Sequence, residues 1–238
     1  MKVTRELAEK VRDVVSAGLV RGKGEPIPGR MCVEAAVCYA MGLPHSDEPT
    51  CVGQAVRSFK IALNDSNWSS DMARANGMKR IAIAQLGSIE IDQNQFTKEL
   101  ALATIRRILP IVLRAAAKLH HEQKHIDALN DSATACETCD DAAADAAARS
   151  AANAANAAAN AAYAAAYAAA YAAANAAANA ANAAADAAAN AANAAAYAAA
   201  YAARSAARDE VLSLMAEIGV EALQKCGSPG CEFLDVIQ

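Results

Sequence analysis

The chain has 238 residues, enough for one or two domains, and a net charge of −4. Its 55% hydrophobic content is inflated by alanine, because one Trp, three Phe and six Tyr supply all of the aromatic bulk. Residues 1–125 hold eighteen Lys and Arg against thirteen Asp and Glu, whereas residues 126–238 hold four against thirteen. This balance excludes a general nucleic-acid-binding protein, which would show a basic stripe, but it leaves room for one small anionic ligand.

The first ten residues and the cysteines indicate a reducing cytoplasm. Residues 1–10 alternate charges and lack the apolar core of a secretory signal. The longest uncharged, Asn-free run of the Ala-rich region, residues 161–174, is too short to span a bilayer. Seven cysteines, an odd number without a secretory context, predict free thiols. We therefore expect a cytoplasmic protein with no membrane partner.

Apolar spacing and turn residues predict helices throughout the chain. The predicted helices cover residues 5–19, 31–41, 51–63, 71–86, 94–119, 120–137 and 204–225. Thr4 and Ser70 are predicted N-caps, and Pro110 is expected to kink the fifth helix. No segment has the pattern of a strand pair. The predicted fold class is all-α, a helical bundle with a long Ala-rich helix or helical hairpin.

We divide the chain into a helical body (residues 1–139), an Ala-rich arm (140–225) that packs on the body, and a C-terminal tail (226–238). Between Ala142 and Ala203, 45 of 62 residues are alanine, the strongest helix former. The larger side chains of the arm recur about every 3.7 residues, close to the 11-residue repeat that keeps one face aligned. They therefore form one stripe.

The opposite surface of the arm is a smooth face of alanine methyl groups. Such a face allows close approach of another helix, so a homo-oligomer through the Ala-rich faces is one expectation. Four consecutive steps of four residues, ending at Asn179, drift around an ideal helix and favour a break near Asn175 to Asn179. The unbroken helix and the hairpin both stay open.

The stripe is the first candidate binding site. Asn amides offer paired donor and acceptor atoms that match an adenine edge, and Tyr rings stack on bases. The expected ligand contacts in the stripe are Tyr163, Tyr167, Tyr171, Tyr197, Tyr201, Asn160 and Asn193. Several basic side chains could meet a phosphate: Lys79, Arg80, Arg106, Arg107, Arg114, Arg149, Arg204 or Arg208. The alternative is that Asn and Tyr only keep a poly-Ala helix soluble and in register.

A second constellation lies in the body, where Cys, His and acidic side chains could make a thiol nucleophile with its base, or a metal site. Its members are Cys32, Glu34, His45, Asp47 and Cys51. Glu34 stands in an apolar helix and needs a partner, for which Arg57, Lys60 or the next helix N-terminus are candidates. The alternative is two buried thiols and a turn that caps a helix. We expect Glu34, His45, Asp47 and Trp68 to contribute to the ligand site.

The third candidate is the H-E-x-x-H pattern of His121, Glu122 and His125. On a helix, His residues four apart can share a zinc ion while the Glu activates water. Cys136 and Cys139 lie downstream and could instead complete a structural zinc site. The alternative is a solvated, His-rich helix end, which the polar residues between the histidines favour. We expect no cofactor.

Several segments of the chain resemble a group of Ala-rich proteins of bacteria and their phages. The segments that carry the resemblance are Gly29–Ala36, His45–Asp47, Cys51–Val52, Asn64–Gly87, the Ala/Tyr arm and Gly230–Leu234. It covers most of the chain and brings no known activity. Phage proteins of this size are often counter-defence factors, some of which sequester nucleotide immune signals, so by analogy it implies such a role.

The leading hypothesis from the sequence is a non-catalytic protein that sequesters a small nucleotide-like ligand between the body and the Tyr/Asn stripe. A structural or surface-binding helix is the alternative from another class; ice-binding proteins belong here, although regularly placed Thr is absent from the arm. A zinc-dependent hydrolase that uses the HEQKH segment is the third.

Overall fold

The computed structural model describes residues 2–237 apart from 142, 145, 148, 152 and 155–204. Within these ranges the regular elements are helices, and strand-like pairing is limited to one isolated bridge between Gly24 and Met31. The prediction of an all-α fold is confirmed. The α-helices are α1 (Arg5–Ser16), α2 (Val33–Ala40), α3 (Gln54–Asn64), α4 (Asp71–Ala84), α5 (Gln93–Arg107), α6 (Leu109–Leu119), α7 (Gln123–Thr138) and α8 (Ser205–Lys225). Two 3₁₀ segments, Ser88–Glu90 and Pro229–Val236, complete the elements.

Local polar side chains set the helix starts. The Thr4 hydroxyl accepts a hydrogen bond from the Leu7 amide at 3.3 Å, and the Ser70 hydroxyl accepts one from Ala73 at 3.0 Å. Both predicted N-caps are confirmed. Each satisfies one of the amides that a helix N-terminus leaves without an internal partner.

The predicted fifth helix, 94–119, is two helices that meet at Ile108. Pro110 lies in the first turn of α6, where its missing N–H is not needed. In a continuous helix the same proline would lack a bond to the Arg106 carbonyl and would crowd it. The proline therefore starts a helix, and the interruption expected at Pro110 falls at Ile108, whose backbone keeps right-handed helical angles.

The prediction that helix continues from His120 to Glu137 is wrong at its start. α6 ends at Leu119, His120 and Glu122 have extended backbone angles, and α7 begins at Gln123. The His120 Nδ1 atom accepts a hydrogen bond from the Glu122 amide at 3.0 Å. That bond holds a turn in place of helical pairing.

The helices enclose one hydrophobic core. α8 packs against α4 and α5, α1 packs against α4, and α6 packs against α7. Phe59 and Phe96 meet edge to face at its centre, with ring centroids 6.3 Å apart. Gly219 allows α8 to approach this pair closely, because a Cβ there would lie 2.5 Å from the Phe59 ring.

Both described ends of the Ala-rich arm are anchored on this body. Ala144, Ala147 and Ala151 are buried in the same core as α8. Arg106 pairs with Asp141 at 2.8 Å, and the adjacent Arg107 pairs with Glu221 at 2.6 Å. The one-helix and hairpin predictions concern residues 155–204 and lie outside the described residues.

Candidate functional site

A small pocket of about 60 Å³ lies between the Gly-rich loop 21–30, the start of α2 and the end of α3. The loop is tied to itself and to α2, since Val20 donates to the Met31 carbonyl at 3.0 Å and Cys32 donates to the Lys23 carbonyl at 3.2 Å. The residues that line the pocket are Gly22, Lys23, Cys32, Val33, Asp47, Ile61, Asn64 and Asp65.

Asn64 and Asp65 organise the inner wall of this pocket. The buried Asn64 side chain accepts a hydrogen bond from the Val33 amide at 3.1 Å and donates one to the Val20 carbonyl at 2.9 Å. Asp65 Oδ1 accepts hydrogen bonds from the Gly22 amide at 2.8 Å and from Asn64 Nδ2 at 2.9 Å. Neither residue stands out in the local sequence as part of a site, because their partners are 31 to 44 positions away along the chain.

The structure brings part of the second constellation to the pocket. Cys32 and Asp47 line it, and His45 Nε2 lies 2.9 Å from the Gly24 carbonyl, which places an N–H of the ring on the loop. The Cys32 sulfur caps α2 by accepting from the Ala35 amide at 3.3 Å. Burial raises the pKa of the Cys32 thiol to about 11, so this sulfur is a neutral cap and a poor nucleophile at neutral pH.

Cys51 is separate from this group. Its sulfur contacts the Met41 sulfur at 3.5 Å, and its carbonyl accepts from the Ile89 amide at 3.1 Å. The constellation read from the sequence is therefore divided between a pocket and the core. All seven cysteines are free thiols.

Glu34 is fully buried and lies 3.0 Å from the ammonium of Lys60, which is also fully buried. Of the predicted partners, Lys60 is confirmed, whereas Arg57 forms its ion pair with Glu48 at 2.6 Å. Burial raises the pKa of the Glu34 carboxyl against the pull of Lys60, and burial lowers the pKa of Lys60. Glu34 has no exposed surface with which to contact a ligand.

Trp68 also lies in the core. Its side chain is 7% exposed, its Nε1–H donates to the Leu63 carbonyl at 2.9 Å, and its ring lies directly over Gly77. The indole ring packs within the protein, and its N–H is already hydrogen-bonded to a backbone carbonyl. The structure therefore gives no support to the expectation that Trp68 contacts a ligand.

The HEQKH segment differs from a zinc helix in the described structure. His121 is exposed and precedes α7, and it is His120 whose ring faces His125, with centroids 4.8 Å apart. Because His120 Nδ1 accepts from the Glu122 amide, the neutral ring carries its proton on Nε2 and has no second lone pair for a metal.

The sulfur atoms of the neighbouring residues Cys136 and Cys139 contact backbone carbonyls. The Cys136 sulfur lies 3.7 Å from the Ala147 carbonyl, and the Cys139 thiol donates to the Cys136 carbonyl at 3.1 Å. In the part of the chain that the structure describes, no group of three or more His, Cys, Asp or Glu is placed to hold a metal ion.

The arginines considered as phosphate contacts are held in ion pairs between elements. Arg80 pairs with Glu217 at 3.0 Å, and Arg114 forms a bidentate ion pair with Glu137. Arg106 and Arg107 hold the two ends of the arm, as described above. The basic body and the acidic arm thus neutralise each other within the chain. Arg149 is exposed in the described helical residues near 150.

Two hydrogen bonds join the turn that follows the pocket to α8, the second described end of the arm. The Ser69 amide donates to Asp209 Oδ1 at 2.9 Å, and the Ser69 hydroxyl donates to the other oxygen of the same carboxylate. Ser69 is four residues past Asp65, which lines the pocket. The predicted stripe contacts Tyr163, Tyr167, Tyr171, Tyr197, Tyr201, Asn160 and Asn193 lie outside the described residues.

Comparison of the chain with protein-family models, with curated proteins and with solved structures finds no match. Among the helices that the structure describes, none combines the length and the apolar character needed to cross a membrane.

Proposed function

We propose that the protein is a non-catalytic binder of a small nucleotide-like ligand, held where the pocket beside α2 and α3 meets the Ala-rich arm. The observation that carries the proposal is the tether between Ser69 and Asp209, which fixes the described end of the arm beside the turn that follows the pocket. The stripe and the pocket then supply two complementary kinds of contact, aromatic stacking and hydrogen bonding.

The chemistry of the pocket favours the amino edge of a base over a phosphate. Asp47 and Asp65 contribute two carboxylates to the lining of a volume of about 60 Å³, against one ammonium from Lys23. An engineered cavity of about 150 Å³ binds benzene, so the smaller pocket admits a group of a few atoms and not a whole base. An exocyclic amino group fits both the size and the acceptors, and the ring would remain outside, where Tyr side chains of the arm could stack on it.

Two features of the body favour binding over catalysis. The Cys32 thiol at the pocket is protonated at neutral pH, because burial raises its pKa to about 11. The His120 ring uses one nitrogen to hold the turn before α7. Neither group is poised as a nucleophile or a metal ligand. By its resemblance to Ala-rich phage proteins, the chain would act by sequestering its ligand, as a counter-defence factor that removes a nucleotide signal.

The proposal is tested by a thermal-shift screen of nucleotides on the full-length protein. A ligand that binds only the folded state raises the melting temperature by mass action. We expect an amino-bearing nucleotide to raise it by several degrees. Asp47→Asn should weaken that ligand about tenfold or more, because a charge-assisted hydrogen bond becomes a weaker neutral one.

Asp131→Asn is the matched control, since Asp131 is exposed on α7. It should bind the ligand as the unaltered protein does. Absence of any shift across the nucleotide panel, or equal affinity in the Asp47 and Asp131 variants, would contradict the proposal.

A further inference from the structure

The buried ion pair of Glu34 and Lys60 adjoins the pocket without lining it. Glu34 directly follows Val33 in α2, and Lys60 directly precedes Ile61 in α3, and both Val33 and Ile61 line the pocket. The pair is therefore one residue away from each of two pocket walls. Its ammonium nitrogen and carboxylate oxygen are 3.0 Å apart, and both side chains are 0% exposed.

A buried ion pair of this kind contributes little net stability to a fold. Removing two charges from water costs about as much as their attraction returns, and well-packed apolar side chains of similar volume are often equally stable or more so. An ion pair differs from apolar packing because it fixes the separation of its two charged groups. Leu and Met side chains tolerate a sliding helix, whereas an ammonium and a carboxylate must meet at one separation.

A third helix contributes to the same arrangement. Gln85 is the C-cap of α4, is fully buried, and lies close enough to the Glu34 carboxylate to interact with it. α2, α3 and α4 thus share one polar centre in an otherwise apolar core. A one-turn slip of α2 against α3 would leave a charge buried without its partner, which is strongly unfavourable.

We propose that Glu34 and Lys60 are positioning residues that hold α2 and α3 in the single register that forms the pocket, with little or no net gain in stability. This inference concerns the shape of the pocket and holds whether or not the pocket binds a nucleotide.

The test compares Lys60→Met with the double variant Glu34→Met/Lys60→Met in the full chain. Two quantities are measured: the ratio of folded to unfolded protein from urea titration, and the backbone amide resonances of Val33 and Ile61. Lys60→Met leaves an unpaired buried carboxylate and should reduce the ratio about 100-fold or more. The double variant should recover to within about tenfold of the unaltered protein.

The double variant should nevertheless show doubled or broadened resonances at Val33 and Ile61, while Leu100 and Ile105 in α5 keep single sharp ones. Thr104→Val is the matched control for a buried polar-to-apolar change, because Thr104 is 2% exposed and donates to the Leu100 carbonyl. It should leave the Val33 and Ile61 resonances single.

Three outcomes would overturn the inference. The first is a double variant that stays folded with single sharp resonances at Val33 and Ile61. The second is a double variant as unstable as Lys60→Met, or unfolded, which would make the pair a net stabiliser. The third is broadening at Leu100 and Ile105 as well, which would indicate general loosening. If Lys60→Met does not fold, the double variant decides alone.

Discussion

At the scale of single residues, close packing overrides helix propensity at Gly219. Alanine would be the better helix former in the middle of α8. A Cβ there would lie 2.5 Å from Ile81 Cδ1 and from Phe59 Cε1, and both side chains are fully buried. We expect Gly219→Ala to lower the free energy of unfolding by about 1–3 kcal/mol through overpacking, measured by urea denaturation. Gln224→Ala, exposed on the same helix, should not lower it, and a gain in stability for Gly219→Ala would contradict the packing described.

The two neighbouring histidines at the start of the HEQKH segment should respond differently to the same substitution. His120 is 7% exposed and its Nδ1 accepts from the Glu122 amide, whereas His121 is exposed. His120→Phe keeps a ring of similar size but removes the acceptor, so we expect a loss of about 1–2 kcal/mol in the free energy of unfolding. His121→Phe is the control and should have little effect. Equal losses, or a loss only in His121→Phe, would mean that the turn is held differently.

Residue-level features were predictable where their cause is local. Thr4 and Ser70 were predicted as N-caps because a cap acts within three residues. Lys60 was a predicted partner of Glu34 because a carboxylate in an apolar helix requires one. The burial of Trp68 did not follow from the local sequence, because its ring packs on Gly77 of α4.

At the scale of helices, ion pairs fasten the arm base, the segment from the end of α7 to Asp141 at the start of the arm, to α5 and α6. The Arg106 guanidinium lowers the pKa of Asp141, and the Arg114 guanidinium lowers the pKa of Glu137. A carboxyl whose pKa is lower in the folded state contributes stability above its unfolded pKa and loses that contribution as the pH falls through the folded value. Acid should therefore loosen the arm base, in the range below about pH 4.

The two pairs can be separated by measuring carboxyl pKa values by NMR. Arg106→Gln should raise the pKa of Asp141 toward its ordinary value and leave Glu137 unchanged. Arg114→Gln should do the reverse. Each variant is the control for the other, because the two arginines lie in different helices. If neither variant moves the pKa of its own partner, the ion pairs do not form in solution.

Helix boundaries show which part of the fold could be read from local sequence. Pro110 was recognised as an interruption because a proline disturbs the helical turn that precedes it, and the two helices meet at Ile108. The turn at His120 to Glu122 was missed because a histidine ring, not a glycine or proline, interrupts the helix.

The pocket was only partly predicted: Cys32 and Asp47 were candidates, whereas Gly22, Asn64 and Asp65 reach it through long-range contacts.

At the scale of the whole molecule, the uneven charge of the two halves serves internal assembly. The excess of Lys and Arg in residues 1–125 meets the acidic second half, residues 126–238, at Arg80–Glu217, Arg106–Asp141, Arg107–Glu221 and Arg114–Glu137. Exposed ion pairs are individually weak, so they orient the two halves more than they stabilise them. Both described ends of the arm therefore contact the body, and Asp209 at the second end is hydrogen-bonded to Ser69 in the turn that follows the pocket.

The central claim is that this body and its arm hold a small nucleotide-like ligand. Native mass spectrometry tests it most directly, on full-length protein purified from cells and then incubated with the nucleotide panel. We predict an added mass of about one nucleotide, retained under native conditions and lost on denaturation, as expected for a ligand that only the folded state binds. The same mass should be weakly retained by Asp47→Asn and fully retained by Asp131→Asn. Bare protein before and after incubation would contradict the account.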